Sequence, residues 1–218
     1  MHFPKPSKPY YAPFLGLALA AVLVLPQVAR ADARDLKDAQ TALAAIVKKH
    51  RAAKAVSVSF ESRAEGADGN PLPVSKGSLL AADSGRFRLQ HAQGTVVSDG
   101  KTVWQYFPST KQLVIKDAAD AGEAGGVLLR FLQARALKAD KRAGQLRVVL
   151  DPASVGESLD SLILTLAADN ASVKKVETLD PAGNRVEYQL KSMRYDVRPD
   201  RSTFVLKKPA GVEVLDMR

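Results

Sequence analysis

Histidines, paired carboxylates and a serine beside a glycine are the side chains of this chain that could move protons or attack a carbonyl. His50 and His91 are the two histidines beyond the first 31 residues, and no partner ligand stands near either at metal-binding spacing. Asp117 and Asp120 could act as an acid–base pair, but they stand in DAADAGEAGG (117–126), where solvated charge is the ordinary role of a carboxylate. GESLD (156–160) lacks the second glycine of a nucleophile elbow. AGEAGG (121–126) has neither the lysine nor the strand-to-helix setting of a phosphate loop. RFR (86–88) is too little basic surface to hold nucleic acid. With no cysteine in the chain, thiol nucleophiles, thiolate metal sites, disulfides and an N-terminal lipidated cysteine are excluded. No catalytic residue, metal ligand or cofactor is expected, and no nucleic-acid partner.

What remains is a chain built to be exported and to bury apolar surface. Lys5 and Lys8 precede the apolar run FLGLALAAVLVL (14–25), and Ala29-Arg30-Ala31 supplies a small-x-small cleavage pattern. That run is shorter than the roughly 20 residues a spanning helix needs, so the expectation is a signal peptide over 1–31, cleaved after Ala31. A single domain of 187 residues, 32–218, would be left outside the cytoplasm, not membrane-spanning. It would carry 29 basic against 23 acidic side chains, a mild excess that serves solubility.

The elements follow from hydrophobic period. Over 34–51, Leu36, Ala39, Leu43, Ile46, Val47 and His50 recur at three- and four-residue steps, predicting an amphipathic helix that Asp32 or Asp35 would cap. The period then becomes two. In VSVSFES, Val56, Val58 and Phe60 alternate with polar residues, and RFRLQ repeats the pattern with Phe87 and Leu89. TVVSD, the turn Asp99-Gly100 and KTVWQY predict a hairpin, and by parity Trp104 and Tyr106 share one face of it. KQLVIK, QLRVVLD, SLILTLA, SVKKVETLD, RVEYQLKSMRYDV and TFVLKK read as further strands. VLLRFLQARAL (127–137) reads as a second, strongly apolar helix. Ten or eleven antiparallel strands with two or three helices must curl, close or be covered. The fold expected is mainly β with α, a curled, incomplete antiparallel barrel covered by lid helices.

The order GSLLAADSGRFRLQH, then TVVSDGKTVWQYFPSTKQLV, then EYQLKSMRYDVRPDRSTFVLKKPAGVEV resembles the LolA family of periplasmic lipoprotein carriers across nearly the whole exported part. That resemblance implies a hydrophobic cavity in the periplasm. Lipoprotein acyl chains would enter it from an inner-membrane transporter and leave to an outer-membrane acceptor, with the carrier a monomer. Phe87 and Leu89 stand where the family has cavity residues; Leu43 on the first helix and Leu128 and Leu132 on the second stand as lid residues. The family's usual arginine, which hydrogen-bonds the lid, is replaced here by Asp83 with no proline after it, and Arg86 is the residue placed to substitute. Asp83 and Arg86 are therefore the gating candidates. The departure keeps open a carrier of another lipid, a glycolipid or lipid-linked pigment, and the same fold also occurs in lipid-sensing envelope-stress modules.

Overall fold

A computed structural model describes residues 27–119, 131–156 and 158–218. Most of the expected signal segment, Leu128 and the first part of the expected second helix lie outside the described residues.

Helix α1 (Gln27–Ala52) is longer than the period alone predicts. Its stripe is the expected one, with Ala39, Leu43 and Ile46 buried and Leu36 and Val47 packed beside them. Lys49, His50 and Arg51 fill the last turn, where cations complement the exposed carbonyls. Because the helix starts at Gln27, neither Asp32 nor Asp35 is its cap. The Asp35 carboxylate instead accepts the Lys141 backbone N–H at 3.2 Å, joining the helix to the sheet.

After α1 the described residues form twelve strands, close to the ten or eleven expected: β1 (Ala55–Glu65), β2 (Ser75–Ala82), β3 (Arg86–His91), β4 (Gly94–Asp99), β5 (Thr102–Phe107), β6 (Gln112–Asp117), β7 (Arg135–Arg142), β8 (Gln145–Asp151), β9 (Ser161–Leu166), β10 (Val173–Leu179), β11 (Arg185–Tyr195) and β12 (Glu213–Asp216). They make one open, curled sheet in the order β12-β6-β5-β4-β3-β2-β1-β11-β10-β9-β8-β7. Every pairing is antiparallel except the parallel β12·β6 edge. Among the described residues α1 is the one α-helix.

Two expected elements are different. TFVLKK is not a strand: Arg201–Phe204 is a 3-10 turn that buries Phe204, and the chain then runs on to pair as β12. The expected helix over 127–137 gives way after Phe131 to a turn, and Arg135 onward is β7. Leu137, which a helical stripe would have buried, is the bulged and exposed residue of that strand.

The core has two parts. The larger joins the α1 stripe and Phe131–Leu132 to Leu146, Val148, Leu150, Leu162, Leu164, Leu166, Val173 and Val176, so α1 lies over β7–β10. The smaller is Val56, Val58 and Leu79 with Phe87, Leu89, Met193 and Tyr195 packed against it. Both lie on the same face of the sheet, which cross-strand pairing fixes rung by rung: Val58 faces Leu79 and Met193, and Leu79 faces Leu89. Trp104 pairs with Val97 and Ile115, on the opposite face from Phe87 and Leu89. Its partner by parity, Tyr106, is on that outer face too.

Phe60 faces Gly77 across β1·β2, and its ring occupies the space a side chain would take there. The same ring meets Tyr188 edge-on, with centroids 5.7 Å apart. A methyl group at position 77 would run into Phe60 Cζ and stand 2.8 Å from the Gln90 carbonyl oxygen, which is backbone and cannot yield. Gly77→Ala is therefore expected to lower stability by about 1–3 kcal/mol, the usual cost of overpacking. Urea unfolding measures this as a lower midpoint at unchanged slope; an unchanged midpoint would mean that the ring moves aside freely.

Candidate functional site

Where the inner face passes beyond the reach of α1, a cavity of about 540 Å³ remains. Its walls come from strands that the sequence makes apolar on alternate residues: Phe60 from β1, Leu79 from β2, Leu89 from β3, and Val186 and Tyr188 from β11. Phe131 closes it from the side of the larger core. The rim is the β1–β2 connection, where Leu72 and Val74 are 53% and 55% exposed. Pro71 and Pro73 flank Leu72 there, which stiffens the connection.

Polarity is confined to the rim. The Ser62 hydroxyl donates to the Ser75 carbonyl at 3.4 Å, and the Ser75 hydroxyl accepts the Ala92 N–H at 3.4 Å. His91 Nδ1 accepts the Gln93 N–H at 3.3 Å, so in the neutral ring the proton is on Nε2. Burial lowers the His91 pKa from its ordinary value and raises that of the Tyr188 phenol. Both side chains are thus uncharged at neutral pH. The space suits an apolar guest, and the groups around it provide neither a nucleophile with its base nor a metal-ligand set; among the described residues no group of three or more metal-binding side chains assembles.

The sequence-derived candidates fall in different places. Leu89 lines the cavity. Phe87, one rung deeper on β3, packs in the smaller core, while Leu43 and Leu132 are buried in the larger one. Asp83 and Arg86 lie at the other end of the sheet, in the β2–β3 turn. There the Arg86 N–H donates to the Asp83 carbonyl at 3.3 Å, and Ser84 and Gly85 both have positive φ, as a type I′ turn requires. The two side chains form an ion pair with each other, and the Arg86 guanidinium lies 5.3 Å from the centre of the Phe204 ring. Phe60, Tyr188 and the Leu72–Val74 rim were not singled out from sequence. The signal for Phe60 was present in the alternation of VSVSF, whereas the rim reads only as a turn.

A second cleft, of about 490 Å³, opens on the outer face between Arg63, Arg147 and Arg185 and the carboxylates Glu65, Glu177 and Glu187. Its charges balance.

The model of a family described as outer membrane lipoprotein carrier protein LolA matches residues 51–207, from the end of α1 to just short of β12. The chain belongs to the LolA family. A relative from Photobacterium profundum, named outer-membrane lipoprotein carrier protein, is 24% identical over 209 residues, which cover 94% of this chain and 99% of that protein. Another of the same name, from Psychromonas ingrahamii, is 23% identical over 75% of this chain and 82% of its own length. Among solved structures, an uncharacterized conserved protein from Thermus thermophilus aligns at a TM-score of 0.52 with 14% identity, covering 82% of this chain and 98% of that one. That likeness is one of fold. The 12-stranded open sheet with its covering helix is the LolA-type architecture.

Burial lowers the pKa of His50 as well as of His91, and the His50 Nδ1 is buried without a hydrogen-bond partner among the described residues. The unfolded chain therefore takes up protons at these rings before the folded chain does. Stability from this source is level above the unfolded histidine pKa of about 6.5 and falls as pH drops below it, until the folded rings also protonate. Thermal unfolding between pH 7.5 and 5.5 is expected to show a falling midpoint, and His91→Gln is expected to flatten part of that slope. A slope identical in the variant would show that His91 is no more buried than a solvated histidine.

Proposed function

We propose that this LolA-family chain is a periplasmic carrier that holds the acyl chains of lipoproteins in the cavity between β1, β2, β3, β11 and Phe131. The single observation that supports it most is the cavity itself: an interior space walled by Phe60, Leu79, Leu89, Phe131 and Tyr188 that no side chain of the described protein fills. Its volume lies in the range of roughly 300–1,000 Å³ typical of small-molecule sites. Membership of a family whose relatives are named lipoprotein carriers agrees with it. In this reading residues 1–31 are an export signal, 32–218 form one carrier domain, and the protein binds without catalysis. Loading comes from an inner-membrane transporter, and unloading goes to an outer-membrane acceptor.

A second reading, carriage of a different lipid, is favoured by the β2–β3 turn. Asp83 and Arg86 are spent on each other and on Phe204, at the end of the sheet away from the cavity rim. A lid held by an arginine from that turn would have to break those contacts first.

Purified protein is expected to take up a fluorescent fatty-acyl probe, and Leu89→Gln to weaken uptake roughly tenfold, because an unpaired amide in an apolar wall costs about 1–3 kcal/mol. Mass spectrometry of material co-purified from the periplasm identifies the cargo. Lipoprotein supports the first reading and free lipid the second; a folded protein that takes up no acyl probe excludes both.

A further inference from the structure

Charge is spread unevenly along α1. Its first half mixes signs, with Arg34 and Lys37 beside Asp35 and Asp38, as a solvated helix face usually does. From there to Glu61 in β1 the chain has no acidic residue, yet Lys48, Lys49, Arg51 and Lys54 all stand exposed. We infer that this end of α1 docks the protein on an anionic phospholipid bilayer. Such docking goes beyond acyl carriage and needs no guest in the cavity.

The fold gathers these cations at one end of the molecule. Helix α1 runs along the end of the sheet where β7 finishes and β1 begins. The Asp35 carboxylate accepts the Lys141 N–H late in β7, and Lys49 Nζ lies 4.4 Å from the centre of the Tyr195 ring at the end of β11. Exposed Arg194 precedes that tyrosine. Of the carboxylates that follow the two strands flanking β1, Asp83 is paired with Arg86, which leaves Asp196 to offset these five cations.

On the sheet, charges are matched locally: Lys175 meets Glu177 at 3.2 Å and Glu187 at 3.3 Å, and Arg135 meets Asp151 at 2.6 Å. Among the described residues Lys48, Lys49, Arg51 and Lys54 form no ion pair. The carbonyls at the helix C-terminus carry only about half a negative charge, and the Tyr195 ring engages one lysine. Most of the positive charge is left for a partner.

The make-up of the surface selects that partner. A specific protein interface wants an apolar anchor at its centre. Every exposed large hydrophobic among the described residues lies elsewhere, on β5, β7, β12, the β1–β2 connection and the C-terminal segment. The exposed neighbours of the cations on α1 are Ala44, Ala45 and Ala52. An anionic bilayer needs only charge, and clusters of about four to eight Lys or Arg on a helix are what it attracts. Lys48, Lys49 and Arg51 share one helical turn, closer together than the screening length of about 10 Å at 0.1 M salt, so a charged surface meets them as a unit. The apolar stripe of α1 is already spent on the core, so the contact is superficial and salt-sensitive.

The docked protein also has an orientation. Lys54 precedes the first residue of β1, and the cavity rim lies at the far end of that strand, about 35 Å away along its 11 residues. On the bilayer the rim therefore points away from the lipid.

The test uses the purified full chain, sedimented with phosphatidylcholine vesicles that are neutral or contain phosphatidylglycerol as about one-third of their lipid. Binding to the anionic vesicles is expected, falling at least about tenfold as salt rises from 0.1 M to 1 M and the screening length shrinks to about 3 Å. Each cation near an anionic surface is worth about fivefold, so Lys48→Gln, Lys49→Gln, Arg51→Gln and Lys54→Gln combined are expected to cost at least about fiftyfold. Lys76→Gln, Lys111→Gln, Lys207→Gln and Lys208→Gln combined remove the same net charge and are expected to cost less than about fivefold. Because the chain has no cysteine, a single fluorophore can be placed at Ala52→Cys or, on the rim, at Ala92→Cys. A quencher carried on lipid headgroups is expected to dim the first and spare the second.

Equal losses in the two charge variants, each shown to be folded, overturn the inference, because net charge and not this cluster is then what the bilayer feels. Quenching at Ala92→Cys as strong as at Ala52→Cys overturns it as well. Binding to neutral and anionic vesicles alike, unchanged in the α1 variant, overturns it and assigns the hold to the apolar run 14–25. Retention on an acidic protein with none on anionic vesicles overturns it in favour of a protein partner. Acyl-probe uptake is expected to be unchanged in the α1 variant, so each of these failures leaves the carrier reading standing, and failure of acyl uptake leaves the docking standing.

Discussion

Among the described residues one helix faces twelve strands and cannot cover them all, and much of what the described structure shows follows from that mismatch. Neighbouring strands lie about 4.8 Å apart, so the sheet would be on the order of 50 Å wide if flat, whereas a helix with its side chains is only about 10–12 Å across. The chain reduces the deficit by curling the sheet. The Ser59/Phe60 irregularity in β1·β11 and the Ala136/Lys138 bulge in β7·β8 both add bend and twist. It then places α1 against β7 and β8, with Ala39, Leu43 and Ile46 in the same core as Leu162, Leu164 and Leu166. On the outer face the C-terminal chain does the same service for β3 and β4: Phe204 is buried against them and Arg88 donates to the Thr203 carbonyl at 3.2 Å. The cavity is what remains where the α1-covered region ends and the smaller core begins.

That origin bears on energetics. Filling the space with the protein's own side chains would add stability, at about 25 cal/mol for each Å² of apolar surface removed from water. Leaving it open forgoes that gain; under the proposed function an acyl guest would collect it instead, at roughly 0.8 kcal/mol per methylene, or on the order of 12 kcal/mol for a sixteen-carbon chain. A carrier that kept the whole amount would never release its load. Under the proposed carriage an opposing gain must accompany release, and the one residue that belongs both to the larger core and to the cavity wall is Phe131.

Sequence patterning disclosed the sheet and the α1 stripe almost entirely, because both reflect simple periods. Val56, Val58 and Phe60 alternate and are buried; Leu36, Ala39, Leu43 and Ile46 step by three and four and are buried or packed. It carried the helix of VLLRFLQARAL too far toward its C-terminal end, because Ala136 and Leu137 continue an apolar run, and only pairing with β8 makes them part of a strand. It misassigned TFVLKK because a β-like run there buries one residue, Phe204, and then has no neighbour until β12 reaches β6. The cavity was legible only in part. Leu89 was visible as an inward residue of β3, but so was Phe87, and what separates wall from core is one rung of depth, a tertiary fact. Gly77 gives the same lesson in reverse: nothing local explains a glycine mid-strand until the Phe60 ring is seen lying across it.

An open sheet also leaves two edges that a closed barrel would not have. The β7 edge carries Arg135, Lys138, Lys141 and Arg142 on exposed positions and is interrupted by the Leu137 bulge, both of which disfavour pairing with another strand. The other edge is treated differently. β12 is only four residues long and joins β6 in parallel, and its ends are tied down by Glu213 N–H to the Lys111 carbonyl and Met217 N–H to the Ile115 carbonyl. A strand that short offers a neighbour few free backbone groups. Edges protected in this way leave the sheet unclosed, since no hydrogen-bond ladder from β12 to β7 fixes its circumference.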